Sequence, residues 1–391
     1  MNYIASVFMF LGLSLGSLYV FPSGNPQPGD FVLLLFVAFS LVMALRDDEG
    51  YLDHGFVVVW GMLVFWVSLV CVAWMLVHQS DSFFRYAQFF IYNLLVGVSL
   101  IRLLQLHPGR IAWVEKGIIV AILICFAKVV FDLGTGSVRA VGTFNNPNQL
   151  AYFSLCSLVI LLTIHDFKLP ARPLLLVAIG AAVVSIFSAS SLAAMSGMAL
   201  LFVSWGLANA SKVKHALKFL LILPVLVAGL IVFDIQTDGK VRDNVMTRLD
   251  RAPSKLENMY EERKYERIVE FYHLNILGAG EGSRERFYPY DGGEIHSSFG
   301  NMLFSYGIPG LSLFLAVIFL AVRRAPLYGW VALSGPLLYA VSHNGFRTSI
   351  FWIMLVVLWH VYQVRQESPR LTPQPRHLSR FSPDALPPTA H

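Results

Sequence analysis

His296, in the segment HSSFGNMLFSYGIPGL, stands where a charged loop gives way to an apolar run, and of all the side chains in this sequence it is placed best to move a proton. An imidazole titrates near about 6.5, so at ordinary pH it can take a proton from a hydroxyl, and at a water–lipid boundary it meets aqueous and lipid-borne molecules alike. A histidine that merely caps the following helix is the competing reading. Upstream, Arg263 and Arg267 are four apart within SKLENMYEERKYERIVEFYHLNIL, where Tyr265, Ile268 or Val269, Tyr272 and Ile276 recur at helical spacing. On one amphipathic helix the two guanidinium groups would share a face and form a fork for a pyrophosphate. For Arg263 the favoured reading is instead a solvated network with Glu262, Glu266 and Glu270. The turn GAGEG at 278–282, followed by Arg284 and Arg286, offers backbone N–H groups to an anion. It follows no strand and lacks a Walker lysine, which argues against a nucleotide.

A second polar group precedes an apolar run at VRAVGTFNNPNQLAYF. Its Asn145, Asn146, Asn148 and Gln149 carry the donors and acceptors that sugar recognition needs, with Arg139 as a fixed charge. Asn-Asn-Pro-Asn is also ordinary turn and helix-cap chemistry. Lys128 and Asp132, four apart near the end of another run, read as a structural ion pair. His343, Asn344 and Arg347 in SHNGFRTS either line the same cavity as His296 or make a polar hairpin.

The elements that must position these groups are membrane helices. Of the 391 residues, 56% are hydrophobic and 14% charged, a composition with which a soluble domain could not cover its surface. At about 20 apolar residues per crossing, about twelve spans are expected, near 3–22, 30–45, 55–77, 86–106, 111–133, 149–164, 173–189, 191–209, 216–234, 297–322, 326–343 and 348–364. The seventh and eighth are alternatively one re-entrant pair. Helices one to nine thus occupy residues 1–234, a large loop 235–296, helices ten to twelve 297–365, and a proline-rich tail expected to be disordered 366–391.

With the amino terminus inside, short inner connections hold Arg46, Arg102, Arg110, Lys168, Arg172, Lys212, Lys214, Lys218, Arg323 and Arg324, and short outer ones Arg85, Arg139 and Arg347. That asymmetry puts both termini in the cytoplasm and the large loop outside. The first apolar run reads as a retained span, not a signal peptide. The net charge of +5 follows from the same asymmetry and the tail and points to no nucleic-acid partner. Cys71, Cys125 and Cys156 lie in apolar runs as small buried hydrophobes. There is no outer Asp-x-Asp, HExxH or GxSxG, so no metal or other cofactor is expected, and any anionic leaving group would be neutralised by arginine.

Three blocks in order resemble the O-antigen ligase and polymerase superfamily of bacterial envelope polysaccharide enzymes. They are Arg139, Gly142, Thr143, Phe144, Pro147 and Asn148; then Arg267, Phe271, Leu277, Gly278, Gly280 and Gly282; then His296, Phe299, Gly307 and Gly310. With about twelve spans and one large outer loop, the resemblance covers most of the chain. It implies an all-α membrane fold of the glycosyltransferase C type in the bacterial inner membrane. The implied donor is an undecaprenyl-pyrophosphate-linked glycan, transferred without a metal on the periplasmic face to an acceptor glycolipid, lipid A core or a lipid-linked repeat. Carried to matching positions, His296 is the general base, Arg267 and Arg139 grip the pyrophosphate, and Asn148 positions donor or helix. Where many members have a Ser-Arg pair, this chain has Leu192 and no arginine, leaving Arg284, Arg286, Arg347 or Lys128 as candidate replacements. A one-step displacement opposite such a base inverts the anomeric centre. A transporter or flippase of lipid-linked sugars is the alternative; against it stand the lack of an inverted repeat and the gathering of chargeable residues on one face.

Overall fold

The computed structural model describes residues 2–45, 54–135, 137, 139–168, 172–210, 231, 234–290 and 293–367. They form α1 (Asn2–Leu15), α2 (Pro28–Ala44), α3 (His54–His78), α4 (Ser82–Leu106), α5 (Ile111–Gly134), α6 (Pro147–Ile164), α7 (Pro173–Ser188) and α8 (Leu192–Asn209). Short helices α9 (Lys240–Asp250), α10 (Ala252–Glu257), α11 (Met259–Glu262) and α12 (Glu266–Glu270) occupy the large loop. The chain then re-enters the bundle as α13 (Ser298–Val322), α14 (Leu327–Ser342) and α15 (Ser349–Glu367). Among the described residues there is no strand.

Among the described residues six helices are long and apolar enough to cross a membrane: 55–78, 82–106, 108–134, 147–164, 192–209 and 298–322. Apolar helices α1, α2, α7 and α14, and the stretch 349–363 of α15, are shorter. The chain is therefore an all-helical, multi-pass membrane protein. The span expected at 216–234 falls almost wholly outside the described residues, as do Arg46, Lys212, Lys214, Lys218 and the tail beyond residue 367. The seventh and eighth expected spans, alternatively one re-entrant pair, are two helices joined at 189–191, and α8 packs on α14 where Gly197 and Gly335 bring the backbones together. A Cβ on Gly335 would lie 2.5 Å from the Gly197 carbonyl oxygen, the close approach that small residues give membrane helices.

Helix starts follow local chemistry. Pro28, Pro147 and Pro173 open their helices, where a missing N–H leaves nothing unsatisfied. Asn146 and Ser297 cap α6 and α13 by accepting from the N–H groups of Asn148 and Gly300. Helix α6 is buried nearly all round, and Trp60 of α3 stacks on Trp352 of α15 at 5.0 Å in the bundle interior.

The amphipathic helix expected over 254–277 is broken. Lys264 adopts φ 60°, its N–H and that of Tyr265 close back on Glu261 and Tyr260, and the chain resumes as α12 and a 3-10 turn at Tyr272–Asn275. A helical apolar period is satisfied equally by short pieces folded onto a neighbour, and here Tyr265, Ile268, Phe271 and Leu274 pack on a small core of Ala279, Phe287, Ile295 and Phe304.

Helix α13 is interrupted at Gly307 (φ 73°, ψ −175°), with Pro309 just beyond. The carbonyls so released find partners in the glycine turn: Ala279 N–H donates to Phe304 O and Gly280 N–H to Ser305 O, both at 2.8 Å. Trp66 Nε1 donates to Tyr306 O at 2.7 Å, and Trp74 Nε1 to Gly278 O at 2.9 Å. Irregular backbone survives among membrane helices only when its polar groups are satisfied within the protein, which is what the turn achieves. Alanine at 307 would bring its Cβ within 2.5 Å of the Leu277 carbonyl carbon. Backbone strain there adds on the order of 1–3 kcal/mol. Gly307→Ala is thus expected to lower the unfolding temperature of detergent-purified protein, while Gly180→Ala, with nothing within 4 Å of its new Cβ, leaves it nearly unchanged.

Candidate functional site

One end of the bundle gathers the polar groups singled out in the sequence. The loop after α1 meets the loop before α6, where Asn145 donates to Phe21 O at 3.0 Å and Tyr19 N–H to Thr143 O at 3.0 Å. Arg139 reaches the α7–α8 turn, its Nε donating to Ala189 O at 2.8 Å, and its Nη2 donates to Asn148 Oδ1 at 3.2 Å. Tyr339 of α14 donates to Asn148 O at 2.8 Å and stacks on His343 at 4.4 Å. His343 O accepts from both N and Oγ of Ser298, and Asn344 Nδ2 donates to Ile295 O at 2.8 Å. The α14–α15 connection thereby locks the start of α13 to the loop that carries His296. The opposite end holds Glu115, paired with His165 at 2.9 Å and Arg172 at 3.5 Å, together with Arg110 and Lys168.

His296 is exposed, immediately before the α13 cap, its N–H donating to Arg263 O at 3.1 Å. Partial desolvation holds its imidazole below the ordinary 6.5; Glu294 pulls upward, and Arg263, Arg284 and Lys264 push further down. A ring in that setting is neutral at physiological pH and ready to accept a proton.

Beside it lies an ionic cluster. Arg347 pairs with Glu281 through Nη2 and with Glu294 through Nη1, and its guanidinium lies 5.2 Å from the Tyr86 ring centre. Arg284 Nη2 reaches the same Glu294 Oε2 at 3.3 Å and the Tyr86 hydroxyl at 3.1 Å. Glu281, 4% exposed, also accepts from Asn301 Nδ2 and the Tyr306 hydroxyl, each at 3.3 Å. Arg267 is buried at 2% exposure, donates to Gly293 O, and lies 6.0 Å from the Phe287 ring centre. A cleft of about 270 Å³, open mouth included, is lined by Arg267, Glu281, Arg284, Glu294, Asn301 and Ser305. A larger cleft of about 580 Å³ lies between α1, α2, α6 and α15, but its carboxylate, Asp30, is held by Gln27 N–H at 2.7 Å and the Tyr92 hydroxyl at 2.9 Å. It serves there as a helix cap, so the smaller, charged cleft is the candidate site.

The arginines divide by their commitments. Arg263 donates to Ser342 O, away from Arg267, because the break at Lys264 destroys the helical face on which both would lie. Arg286 donates to Ala279 O and Gly280 O and packs 4.5 Å from the ring centres of both Trp74 and Phe287. It clamps the glycine turn rather than facing the cleft. Two N–H groups of that turn, those of Ala279 and Gly280, hold α13 and are not open to an anion. Burial brings Arg139, Arg286 and Arg347 down to about 10, with the Arg248 charge adding to the effect at Arg139, and all three remain cationic at neutral pH.

Glu281, Glu294, Tyr86 and Asn301 are the residues that sequence reasoning missed. An acid inside a glycine run and another two positions before the histidine were the visible signals. Leu192, where the expected arginine is absent, begins α8 directly after the turn that Arg139 reaches.

Lys128 and Asp132 are indeed paired, and the pair has a positional role. Asp132 Oδ2 accepts from Gly142 N–H at 2.9 Å and Val141 N–H at 3.2 Å, fixing the loop that carries Arg139. A hydrogen bond to a charged group contributes about 1.5–3 kcal/mol. Asp132→Ala is accordingly expected to melt well below Lys128→Met, which removes a side chain 44% exposed; equal melting temperatures would refute the role.

Neither a protein-family model nor a curated protein matches the chain.

Proposed function

We propose that the protein is a membrane glycosyltransferase of the O-antigen ligase and polymerase type. In this reading it moves a glycan from an undecaprenyl-pyrophosphate carrier to the hydroxyl of an acceptor glycolipid, with inversion and without a metal. The finer features of that type belong to the proposal: about twelve spans in a glycosyltransferase C arrangement, an inner-membrane location, a periplasmic site and cytoplasmic termini. The observation that supports it is a cleft lined by Arg267 and Arg284, with Arg347 paired to its two glutamates, His296 following its lining residues Glu294 and Ile295 in the chain, and Arg139 and Asn148 at the same end of the bundle.

His296 takes the proton of the acceptor hydroxyl as its oxygen bonds to the anomeric carbon. The bond from that carbon to the diphosphate oxygen breaks, and the electron pair leaves with the diphosphate. Guanidinium groups at a low-dielectric boundary stabilise the developing charge better than water does. The imidazolium returns its proton to solvent afterwards.

Purified protein incubated with lipid-pyrophosphate-linked oligosaccharide tests the reading. Product on lipid A core marks a ligase and product on a second lipid-linked unit a polymerase. No product on either, with translocation across sealed vesicles, would replace the proposal with a transporter. The broken helix α13 is one such interruption among the described residues, whereas inverted-repeat transporters pair them. Retained turnover with a chelator tests the absence of a metal.

A further inference from the structure

The two glutamates of the ionic cluster are not equivalent. Glu281 is 4% exposed and held by Arg347, Asn301 and Tyr306, which satisfy both of its oxygens. Glu294 has a side chain 27% exposed, and its carboxylate partners among the described residues are Arg284 and Arg347, both on Oε2. Its backbone neighbours are pinned, since Gly293 O accepts from Arg267, Ile295 O from Asn344, and His296 N–H donates to Arg263 O. The side chain can therefore turn away without moving the loop.

Charge makes that movement favourable when an anion arrives. Arg267 and Arg284 line the cleft and Arg347 pairs with both of its glutamates, so three positive charges stand there against two negative ones. A lipid diphosphate carries two negative charges, and with both glutamates in place the cleft would hold an excess of negative charge. Carboxylate and phosphate oxygens compete for the same guanidinium geometry, and the diphosphate brings two negative charges where the carboxylate brings one. We propose that Glu294 is a displaceable stand-in for the diphosphate: it bridges Arg284 and Arg347 and is expelled when the diphosphate takes those two groups, while Glu281 stays to hold Arg347 in place. This rests on the reading of the site as one for a diphosphate-linked donor. It adds a selection device, because a ligand with a single negative charge is a poorer competitor for the bridged pair than a diphosphate.

The test is equilibrium binding of inorganic pyrophosphate to the full-length protein in detergent, with Glu285→Gln as a control for the loss of one negative charge near the site. Glu294→Gln is expected to tighten pyrophosphate binding at least fivefold beyond the change in Glu285→Gln. Glu281→Gln, which loosens Arg347, is expected to weaken it. Affinity in Glu294→Gln equal to that in Glu285→Gln, weaker than wild type, or too low to detect in every variant would overturn the proposal. Should Glu294→Gln fold poorly, Glu294→Asp, whose carboxylate is withdrawn by one methylene, is expected to tighten binding about twofold, and no tightening there is equally decisive. Pyrophosphate that follows this pattern in a protein with no glycosyl transfer would overturn the proposed reaction and leave the displacement intact.

Discussion

His296→Ala is expected to lower turnover by roughly 10²–10⁴-fold, the usual contribution of a positioned general base, in a protein that still folds. The bond by which residue 296 ties into the loop, its N–H to Arg263 O, is a main-chain bond that alanine retains, and the α13 cap is made by Ser297. Loss of turnover with an unchanged melting temperature therefore reports chemistry. The pH dependence follows from the sign of the shift: the base acts when deprotonated, and its folded value lies below the ordinary one. The deprotonated fraction thus persists further into acid, and the rising limb of kcat/KM against pH is expected below about 6.5. Glu294 is the charge that favours the imidazolium, so Glu294→Gln should carry the limb further toward acid. Full turnover in His296→Ala would remove the base from the mechanism.

Arg347→Ala is expected to be the most destabilising single change in the cluster. It leaves Glu281 at 4% exposure without its cation and frees Glu294 of one of its two partners. Removing one member of a buried pair costs about 3–5 kcal/mol because an uncompensated charge remains. The measurement is thermal unfolding in detergent. The double variant Arg347→Ala/Glu281→Gln should regain much of the loss, since the amide no longer buries a charge, and that coupling separates the pair from general packing at 347. A double variant no more stable than the single would show that the buried carboxylate is not the source of the loss.

Much of the architecture was legible in the chain. Hydropathy over windows of about twenty residues places eleven of the expected spans on helices, most within two residues of their observed ends, because apolar length and local caps such as Pro147, Asn146 and Ser297 are properties of neighbouring residues. Arg139 and Asn148 were both legible as polar groups at that helix start, whereas the hydrogen bond between them emerges only in the fold. The break in the 254–277 segment was not, since the periodicity of Tyr265, Ile268 and Tyr272 records which side chains are apolar but not whether one helix carries them.

The sequence by itself determined that the chain is a helical membrane protein with its polar chemistry at helix ends, and that His296 opens a helix beside a charged loop. Tertiary structure alone decided which cations are available. It sends Arg263 to Ser342 and Arg286 to the glycine turn, and it brings Arg284 and Arg347, 63 positions apart, onto one carboxylate oxygen. A guanidinium has five donors and a long reach, so its role is set by whichever acceptors packing brings near. Here that packing depends on a helix broken at Gly307, whose freed carbonyls the turn at 279–280 satisfies. Such a bargain between distant backbones leaves no periodic trace in either segment.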